Sequence, residues 1–214
     1  MNKEKECVKL NLGCGPKAVS GWVNVDCALG ARLAKVPFFR TINKKMRFFD
    51  NDWSDKIYIR NLTKRFPWPD SSVDVIYSSH TLEHFSKEEG QKFLHECHRV
   101  LRKRGLIRLV VPDLRPFVEE YIEGKIESDD FIEKLGVLYS KRPDNDIFLK
   151  KALYASVQYP HKCAYDTHRL LTILTSIGFT AASRGAFDSD ISDICLIESE
   201  GRTKNAVILE GYKR

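Results

Sequence analysis

Short apolar runs alternate along the chain with stretches of amphipathic, helical spacing. Buried strands are predicted where an apolar or β-branched run is bounded by turn residues, at 8–12, 22–25, 57–61, 73–79 and 106–111. Apolar residues recur with helical spacing over 87–102 and over 167–177, and each of these stretches is followed by a glycine. Because short apolar strands alternate with helices, the pattern predicts an α/β fold: a mostly parallel sheet with helices on both faces.

Two segments depart from this alternation. Residues 114–160 are amphipathic and carry no strand signal, which predicts a helical cap inserted after the fifth strand, within a single domain of residues 1–214. Near the end of the chain, β-type runs at 194–198 and 205–211 flank the turn-forming stretch 200–202. That pattern predicts an antiparallel C-terminal hairpin.

The composition is that of a globular protein, since the 214 residues are 43% hydrophobic and 30% charged. A chain of this length can bury one sizeable core. No apolar run approaches the roughly 20 residues that span a bilayer, and the charged start lacks the apolar stretch of a secretory signal, so a cytoplasmic location is predicted. The six cysteines include no CxxC pair, and we expect them to be reduced thiols.

Most of the net charge of +6 lies between residues 32 and 65, where ten basic residues face three acidic ones and aromatic residues are interleaved. Such a stretch is compatible with a solvated loop. It also fits a surface that meets an anionic substrate, a membrane headgroup layer or a nucleic acid. The sign of the charge does not choose among these partners.

The candidate chemistry follows the predicted strands. The polar and glycine residues at the five strand ends are Asn11 to Gly15, Asp26, Asn61, Ser78 to His84, and Pro112-Asp113. In an open α/β sheet, ligands bind beyond the carboxyl ends of the strands, so the sequence predicts one site at this edge.

The first of these strand ends suits a nucleoside better than a dinucleotide. Gly13 and Gly15 let a ligand approach the backbone, and the Asp26 carboxylate can accept hydrogen bonds from a ribose diol. The third glycine of the G-x-G-x-x-G fingerprint is missing. The stretch from 16 to 21 is also too short for the helix whose N-terminus would hold a pyrophosphate.

The same motifs, taken in order, resemble the class I S-adenosylmethionine-dependent methyltransferases, which have a Rossmann-like fold. They are LNLGCGP (10–16), GWVNVD (21–26), LTKRFPWPDSSVDVIYSSHTLEHF (62–85), HECHRVLRKRGLIRLVVPD (95–113) and HKCAYD (161–166). Within that class the chain is most similar to small type 11 methyltransferases, many of which occur among polysaccharide-synthesis enzymes. The resemblance implies S-adenosyl-L-methionine as the methyl donor.

Carried onto this sequence, the resemblance implies a set of donor-binding residues. Asn11, Gly13, Cys14 and Gly15 would wrap the methionine part. Asp26 would hold the ribose hydroxyls. Asn61 and Leu62 would stand beside the adenine amino group, where the family usually has Asp-Leu. Ser78, Ser79 and His80 would line the donor beside the sulfonium.

Methyl transfer to a hydroxyl also requires alignment of the nucleophile and removal of a proton. We predict His80, Asp113 and His161 as the catalytic candidates, because an imidazole titrates near neutral pH and Asp113 stands at the mouth of the site. Asp113 could equally be the N-cap of a helix that begins at Leu114. His161 could equally have only a packing role.

HTLEH (80–84) also matches the H-x-x-E-H pattern of inverted zinc peptidases. That site needs both histidines well inside a helix, whereas His80 follows a strand directly. No third ligand stands out later in the sequence. We therefore predict no metal site.

Together these observations predict an enzyme that methylates an oxygen of a glycan or another small anionic acceptor. The glycan assignment comes from the resemblance alone. An RNA methyltransferase is the first alternative, although the NPPY-type tetrapeptide of amino-directed enzymes is replaced by SSHT at 78–81. A non-catalytic module that binds S-adenosylmethionine and a protein that contacts a membrane surface are the others.

Overall fold

The computed structural model describes residues 7–46, 51–138 and 159–214. The seven strands in this part of the chain are β1 Lys9–Leu12, β2 Val23–Asp26, β3 Tyr58–Ile59, β4 Val73–Ser79, β5 Leu101–Pro112, β6 Phe179–Ser183 and β7 Ala206–Lys213. The helices are α1 Leu29–Leu33, α2 Phe39–Met46, α3 Lys87–Val100, α4 Leu114–Ile122, α5 Ser128–Lys134, α6 Thr167–Ile177, α7 Ile194–Ile197 and α8 Glu200–Thr203, with a 3-10 turn at Leu82–His84.

All seven strands belong to one sheet in the order β3-β2-β1-β4-β5-β7-β6. The first five are parallel to one another, whereas β7 is antiparallel to both β5 and β6. The strand order reverses direction between β1 and β4, which is where open α/β sheets form their ligand crevice. The predicted α/β fold is therefore confirmed, and the crevice lies where the glycine-rich loop leaves β1.

The strong local patterns are confirmed closely. The run at 73–79 is β4 and the stretch at 167–177 is α6, both with the predicted bounds. Helix α3 begins after a Ser86 capping box, as its sequence favours. It ends at Val100, however, and β5 starts at once and runs through Gly105, which we expected to end the helix.

The predicted C-terminal hairpin is wrong in one of its strands. An antiparallel C-terminal pair exists, but the partner of β7 is β6, not the run at 194–198. That run forms α7, whose Ile194 is buried and packs with Ile191 and Ile208 on one face of the sheet. The apolar residues at 194 and 197 are one helical turn apart, so they reach the same core from a helix as well as from a strand.

The described part of the predicted cap at 114–160 contains α4 and α5, and residues 139–158 lie outside the described part of the chain. The division of the chain into one domain with this insertion stays a prediction. No helix within the described ranges is long and apolar enough to cross a bilayer.

Core residues lie on both faces of the sheet. The larger cluster joins β1, β4 and β5 to α3 and α6, through residues such as Leu12, Phe93 and Leu170. The smaller cluster, around Trp22, Tyr77 and Val110, covers the opposite face. Charged side chains also enter this interior: Arg108 on β5 is fully buried, and Glu198 and Glu210 are buried beside it.

Candidate functional site

The glycine-rich loop after β1 is fixed by the end of β2. The backbone N–H groups of Gly13 and Cys14 donate to the carbonyl oxygen of Val25, at 2.8 and 3.1 Å. The Asp26 carboxylate accepts from the N–H of Gly15 at 2.9 Å and from that of Ala28 at 2.8 Å. Each carboxylate oxygen keeps a second lone pair, so Asp26 can both shape this loop and accept from a ribose diol.

Gly13 is required by a neighbouring side chain as well as by any ligand. It has φ +74°, and a Cβ built on it would lie 1.9 Å from Oγ1 of Thr81. The Thr81 side chain is buried against the start of the loop, with Oγ1 3.4 Å from the carbonyl oxygen of Leu12 and 3.2 Å from that of Ser79. The Thr81 side chain can therefore pack against this loop only because residue 13 has no side chain.

The other predicted donor residues have local structural partners. Asn11 is buried and donates to Oδ1 of Asn24 at 3.0 Å. Asn61 forms a turn in which its Oδ1 accepts from the N–H of Thr63 at 2.9 Å. The side chain of Leu62 belongs to the core. These contacts leave the donor-binding roles of Asn11, Asn61 and Leu62 as predictions.

Cys14 lies at the centre of this loop as a protonated thiol. Its side chain donates to the carbonyl oxygen of Gly15 at 3.3 Å. Burial, with a smaller contribution from the Asp26 carboxylate, raises the pKa of Cys14 to about 12. At neutral pH the group is therefore neutral, which suits contact with a donor but not nucleophilic attack.

The end of β4 places Ser78, Ser79 and His80 at the crevice. Ser78 Oγ donates to the carbonyl oxygen of Leu12 at 2.9 Å. His80 has the left-handed value φ +51°, rare for a residue with a side chain. Its Nε2 lies 2.8 Å from the carbonyl oxygen of Arg202. A carbonyl only accepts, so Nε2 carries the proton, and burial keeps the pKa of His80 below its usual value.

A cavity of about 360 Å³ adjoins this end of the sheet. Its lining includes all three predicted catalytic candidates, His80, Asp113 and His161, which the chain supplies from β4, the end of β5 and the segment before α6. Lys134 and Lys204 also face it. The structure thus brings together residues that are 33 or more positions apart in the sequence.

Two of these candidates have structural duties too. Asp113 is the N-cap of α4, because its side chain accepts from the N–H of Arg115 at 3.0 Å. His161 is held by its ring, whose Nδ1 lies 2.7 Å from the carbonyl oxygen of Leu135, and by its N–H, which donates to the carbonyl oxygen of Gly136. Their catalytic roles stay predictions.

Two residues of the site were missed by the sequence reasoning. Glu83 lies on the cavity wall, with only 2% of its surface exposed, and burial raises its pKa to about 7. Its signal was present as the acid of H-x-x-E-H. Arg202 of α8 donates to the carbonyl oxygen of Ser79 at 3.1 Å, and its guanidinium lies beside Gly15. No local pattern indicates Arg202, since it reaches the site from 123 residues further along the chain.

The histidine pair expected of a zinc peptidase is not formed. His80 precedes the 3-10 turn instead of lying within a helix, and its Nε2 faces a backbone carbonyl. A different group of possible metal ligands is nevertheless present. One ligand atom from each of Glu83, His84 and His161 lies within 4.8 Å of the other two.

The basic stretch 32–65 is described apart from residues 47–50, so Arg47 and Asp50 lie outside the structure. Lys44 and Lys45 are exposed at the end of α2. Arg60 stacks on the ring of Tyr58, with its guanidinium carbon 4.3 Å from the centroid. Among the described residues of this stretch, several basic side chains are exposed next to β2 and β3, and none lines the cavity.

Comparison with known proteins relates the sequence of this chain to a class of enzymes. Residues 10–109, from β1 to the middle of β5, match the family profile of a methyltransferase domain. The match covers 100 of the 214 residues and supports S-adenosylmethionine-dependent methyl transfer as the chemistry of this domain. No curated protein sequence matches the chain.

Solved structures similar to this chain share its fold at low identity. The YcgJ protein of Bacillus subtilis has a TM-score of 0.52 at 15% identity, covering 98% of this chain and 94% of its own. A methyltransferase of Methanosarcina mazei has a TM-score of 0.52 at 14% identity, covering 98% of this chain and 92% of its own. The 1,6-didemethyltoxoflavin-N1-methyltransferase of Burkholderia thailandensis, solved with S-adenosylhomocysteine, has a TM-score of 0.50 at 13% identity, covering 98% of this chain and 72% of its own.

The edge of the sheet fits S-adenosyl-L-methionine in its chemistry. A loop with little side-chain bulk approaches the ligand through Gly15, and Asp26 stands at the end of the next strand as an acceptor for hydroxyls. The guanidinium of Arg202 adds a positive group beside the loop, where a methionine carboxylate can pair with it. The residues at this edge would therefore offer complementary groups to the nucleoside and to the amino-acid part of the donor.

Proposed function

We propose that the methyltransferase transfers a methyl group from S-adenosylmethionine to a hydroxyl oxygen of a glycan or another small anionic acceptor held in the cavity. One observation supports this most directly: the cavity meets the donor edge at His80, and its lining includes the exposed Lys204 and also Lys134, whose ammonium group pairs with Glu120 at 2.6 Å. An anionic acceptor would gain most from Lys204. The glycan part is supported by the sequence resemblance to small type 11 methyltransferases.

In this proposal the donor binds along the edge formed by β1, β2 and β4. Asn11 to Gly15 contact its methionine part, Asp26 its ribose, and Asn61 with Leu62 its adenine. Arg202 pairs with its carboxylate. Ser78, Ser79 and His80 lie beside the sulfonium, which supplies an activated methyl group. What remains for the protein is to align the acceptor and to take its proton.

His80 is suited to take that proton. Its Nε2 is committed to the carbonyl oxygen of Arg202, so the lone pair of the neutral ring is on Nδ1. Glu83 Oε1 lies 3.5 Å from Nδ1, and its charge would stabilise the imidazolium formed when Nδ1 accepts the acceptor's proton. Asp113 and His161, on the same cavity wall, would orient the acceptor.

Charge reversal at the cavity tests the acceptor class. We expect Lys204→Glu to raise the KM for an anionic oligosaccharide roughly five- to tenfold, because an attraction near the surface becomes a repulsion. Methyl transfer is followed by mass spectrometry as the gain of one CH₂ on the acceptor. Lys103→Glu, on the exposed part of β5 away from the cavity, is the matched control.

The donor is measured separately by calorimetry with S-adenosylhomocysteine. Tight donor binding, an unchanged KM for a neutral oligosaccharide and no effect of the control would support the proposal. An equal effect of both reversals on the anionic acceptor, or methylation of RNA with a steep fall in affinity as salt rises, would contradict it.

A further inference from the structure

Glu83, His84 and His161 form a cluster whose close grouping the proposed methyl transfer does not require, although that proposal uses Glu83 and His161. The first two lie on the 3-10 turn after β4, and His161 lies in the segment before α6. The carbonyl oxygen of Glu83 accepts from the N–H groups of Lys162 and Cys163, at 2.8 and 3.1 Å. These two backbone hydrogen bonds join the segments, so the cluster is held by the fold and not by chance rotamers.

The Glu83 carboxylate is the unusual member of this cluster. It is 2% exposed, and neither of its oxygens has a hydrogen-bond partner within the described ranges. His80 Nδ1 lies 3.5 Å from Glu83 Oε1, but this nitrogen carries no proton in the neutral ring and cannot donate to the carboxylate. A buried carboxylate without donors is strongly unfavourable unless it is protonated or a cation is bound.

The two imidazoles are prepared to act as ligands. His161 Nδ1 lies 2.7 Å from the carbonyl oxygen of Leu135, so it donates and leaves the lone pair of Nε2 free. His84 Nδ1 faces the carbonyl oxygen of Pro160 at 3.5 Å. The ring centroids are 5.0 Å apart. Metal-binding histidines characteristically donate their other N–H to a carbonyl or carboxylate in this way.

Gly136 fixes the position of His161 from the other side. It has φ +67°, and a Cβ built on it would lie 2.9 Å from His161 Nδ1. The imidazole is therefore packed directly against the backbone of the turn after α5. A ligand held so rigidly loses little freedom when an ion binds.

We propose that Glu83, His84 and His161 bind one divalent transition-metal ion, of the zinc type, at the wall of the cavity. Two imidazoles and one carboxylate form a donor set that suits Zn²⁺ and its neighbours better than Mg²⁺ or Ca²⁺, which prefer all-oxygen sites. Because Glu83 and His161 line the cavity, positions that the protein leaves open on the ion face the place of the acceptor. A hydroxyl or carboxylate oxygen of the acceptor is then a natural further ligand.

The ligand set differs from that of the H-x-x-E-H peptidases, which would use His80 with His84. Here His80 is outside the set, and Glu83 takes part through its carboxylate. The ion would occupy the acceptor side of the cavity, next to His80, whose Nδ1 lies 3.5 Å from Glu83 Oε1. The inference concerns ion binding and does not depend on methyl transfer.

Calorimetry and metal analysis of the full-length protein test the proposal, after the protein has been stripped with a chelator. We expect one Zn²⁺ per chain, and a visible d–d absorption band when Co²⁺ replaces it. Glu83→Gln, His84→Gln and His161→Gln should each weaken Zn²⁺ binding by about 100-fold or more, since even residues that only support ligands contribute 10–100-fold. His168→Gln, on an exposed position of α6, should bind like the wild type.

Circular dichroism establishes first that each variant is folded, and His161→Asn replaces His161→Gln if that variant is not. Absence of Zn²⁺ binding to the folded wild-type protein would overturn the proposal. So would Zn²⁺ that remains bound with unchanged affinity in all three folded ligand variants, because it would then sit elsewhere, for example on the exposed Cys7 or Cys195. A protein that binds S-adenosylhomocysteine but not Zn²⁺ would contradict this inference alone.

Discussion

Single residues at the site show how little freedom the backbone leaves to the side chains that matter. His80 is left-handed at the end of β4, and its Nε2 faces the carbonyl oxygen of Arg202. Arg202 in turn donates to the carbonyl oxygen of Ser79. His80, the proposed proton acceptor, and Arg202, the proposed partner of the donor's carboxylate, thus hold each other in place.

At the residue scale we predict that Arg202→Ala weakens binding of S-adenosylhomocysteine by roughly 10–100-fold, as expected for loss of a charge-assisted hydrogen bond. Calorimetry measures this. The matched ligand is 5′-methylthioadenosine, which lacks the amino-acid carboxylate and should bind the variant and the wild type equally. A similar loss for both ligands would show that Arg202 supports the loop instead of pairing with the carboxylate.

At the scale of elements, the site depends on the contact between the loop after β1 and the end of β4. Thr81 fills the space above Gly13 and reaches towards the carbonyl oxygens of Leu12 and Ser79. The sequence led us to expect the glycine to serve a ligand. The structure adds a second reason, which is close packing of one strand end against another.

We therefore predict that Gly13→Ala destabilises the protein by more than the same change at Gly21. Both glycines have positive φ, at +74° and +78°, but a Cβ at Gly21 meets nothing within 4 Å. Gly21→Ala should lose about 1 kcal/mol from backbone strain, and Gly13→Ala a further 1–3 kcal/mol or so from overpacking against Thr81. Denaturant unfolding measures both, and Thr81→Ala should restore part of the difference. Equal losses at the two glycines would contradict this account.

At the scale of the whole molecule, a buried ion network joins the C-terminal segment to the sheet. Arg108 on β5 donates to the carboxylates of Glu198 and Glu210, at 2.9–3.1 Å, and to the carbonyl oxygens of Gly185 and Asp188. Those carboxylates also accept from backbone N–H groups of the 187–190 turn. The network fixes the path of the chain that carries α8 and its Arg202 to the site.

Removal of Arg108 should therefore affect both stability and donor binding. We predict that Arg108→Met costs about 3–5 kcal/mol of unfolding free energy, because two buried carboxylates lose their partner. Lys103→Ala on the exposed part of the same strand should change it by less than about 0.5 kcal/mol. Glu198→Gln added to Arg108→Met should recover part of the loss, since it removes one unpaired charge. A cost of Arg108→Met as small as that of Lys103→Ala would contradict a structural role for the network.

The sequence by itself determined the five parallel strands, β7, the two longest helices and the edge where the strand ends meet, but not β6, α1 or α2. Local patterns, such as the seven-residue run of β4, report burial and turn geometry directly. The strand ends of a parallel sheet then have to meet at one side. The one misassigned strand, at 194–198, has an apolar pattern that packs equally well as a helix.

Only the tertiary structure decided which distant residues complete the site. Arg202 donates to the carbonyl oxygen of Ser79, and His161 lies close to Glu83. Arg108 pairs with Glu198, which is 90 residues further along the chain. The physical reason is that the sequence around a charged or polar residue does not indicate which distant residue it will contact. Its neighbours are chosen by how the helices and the loops pack on the sheet, and that packing is a property of the whole chain.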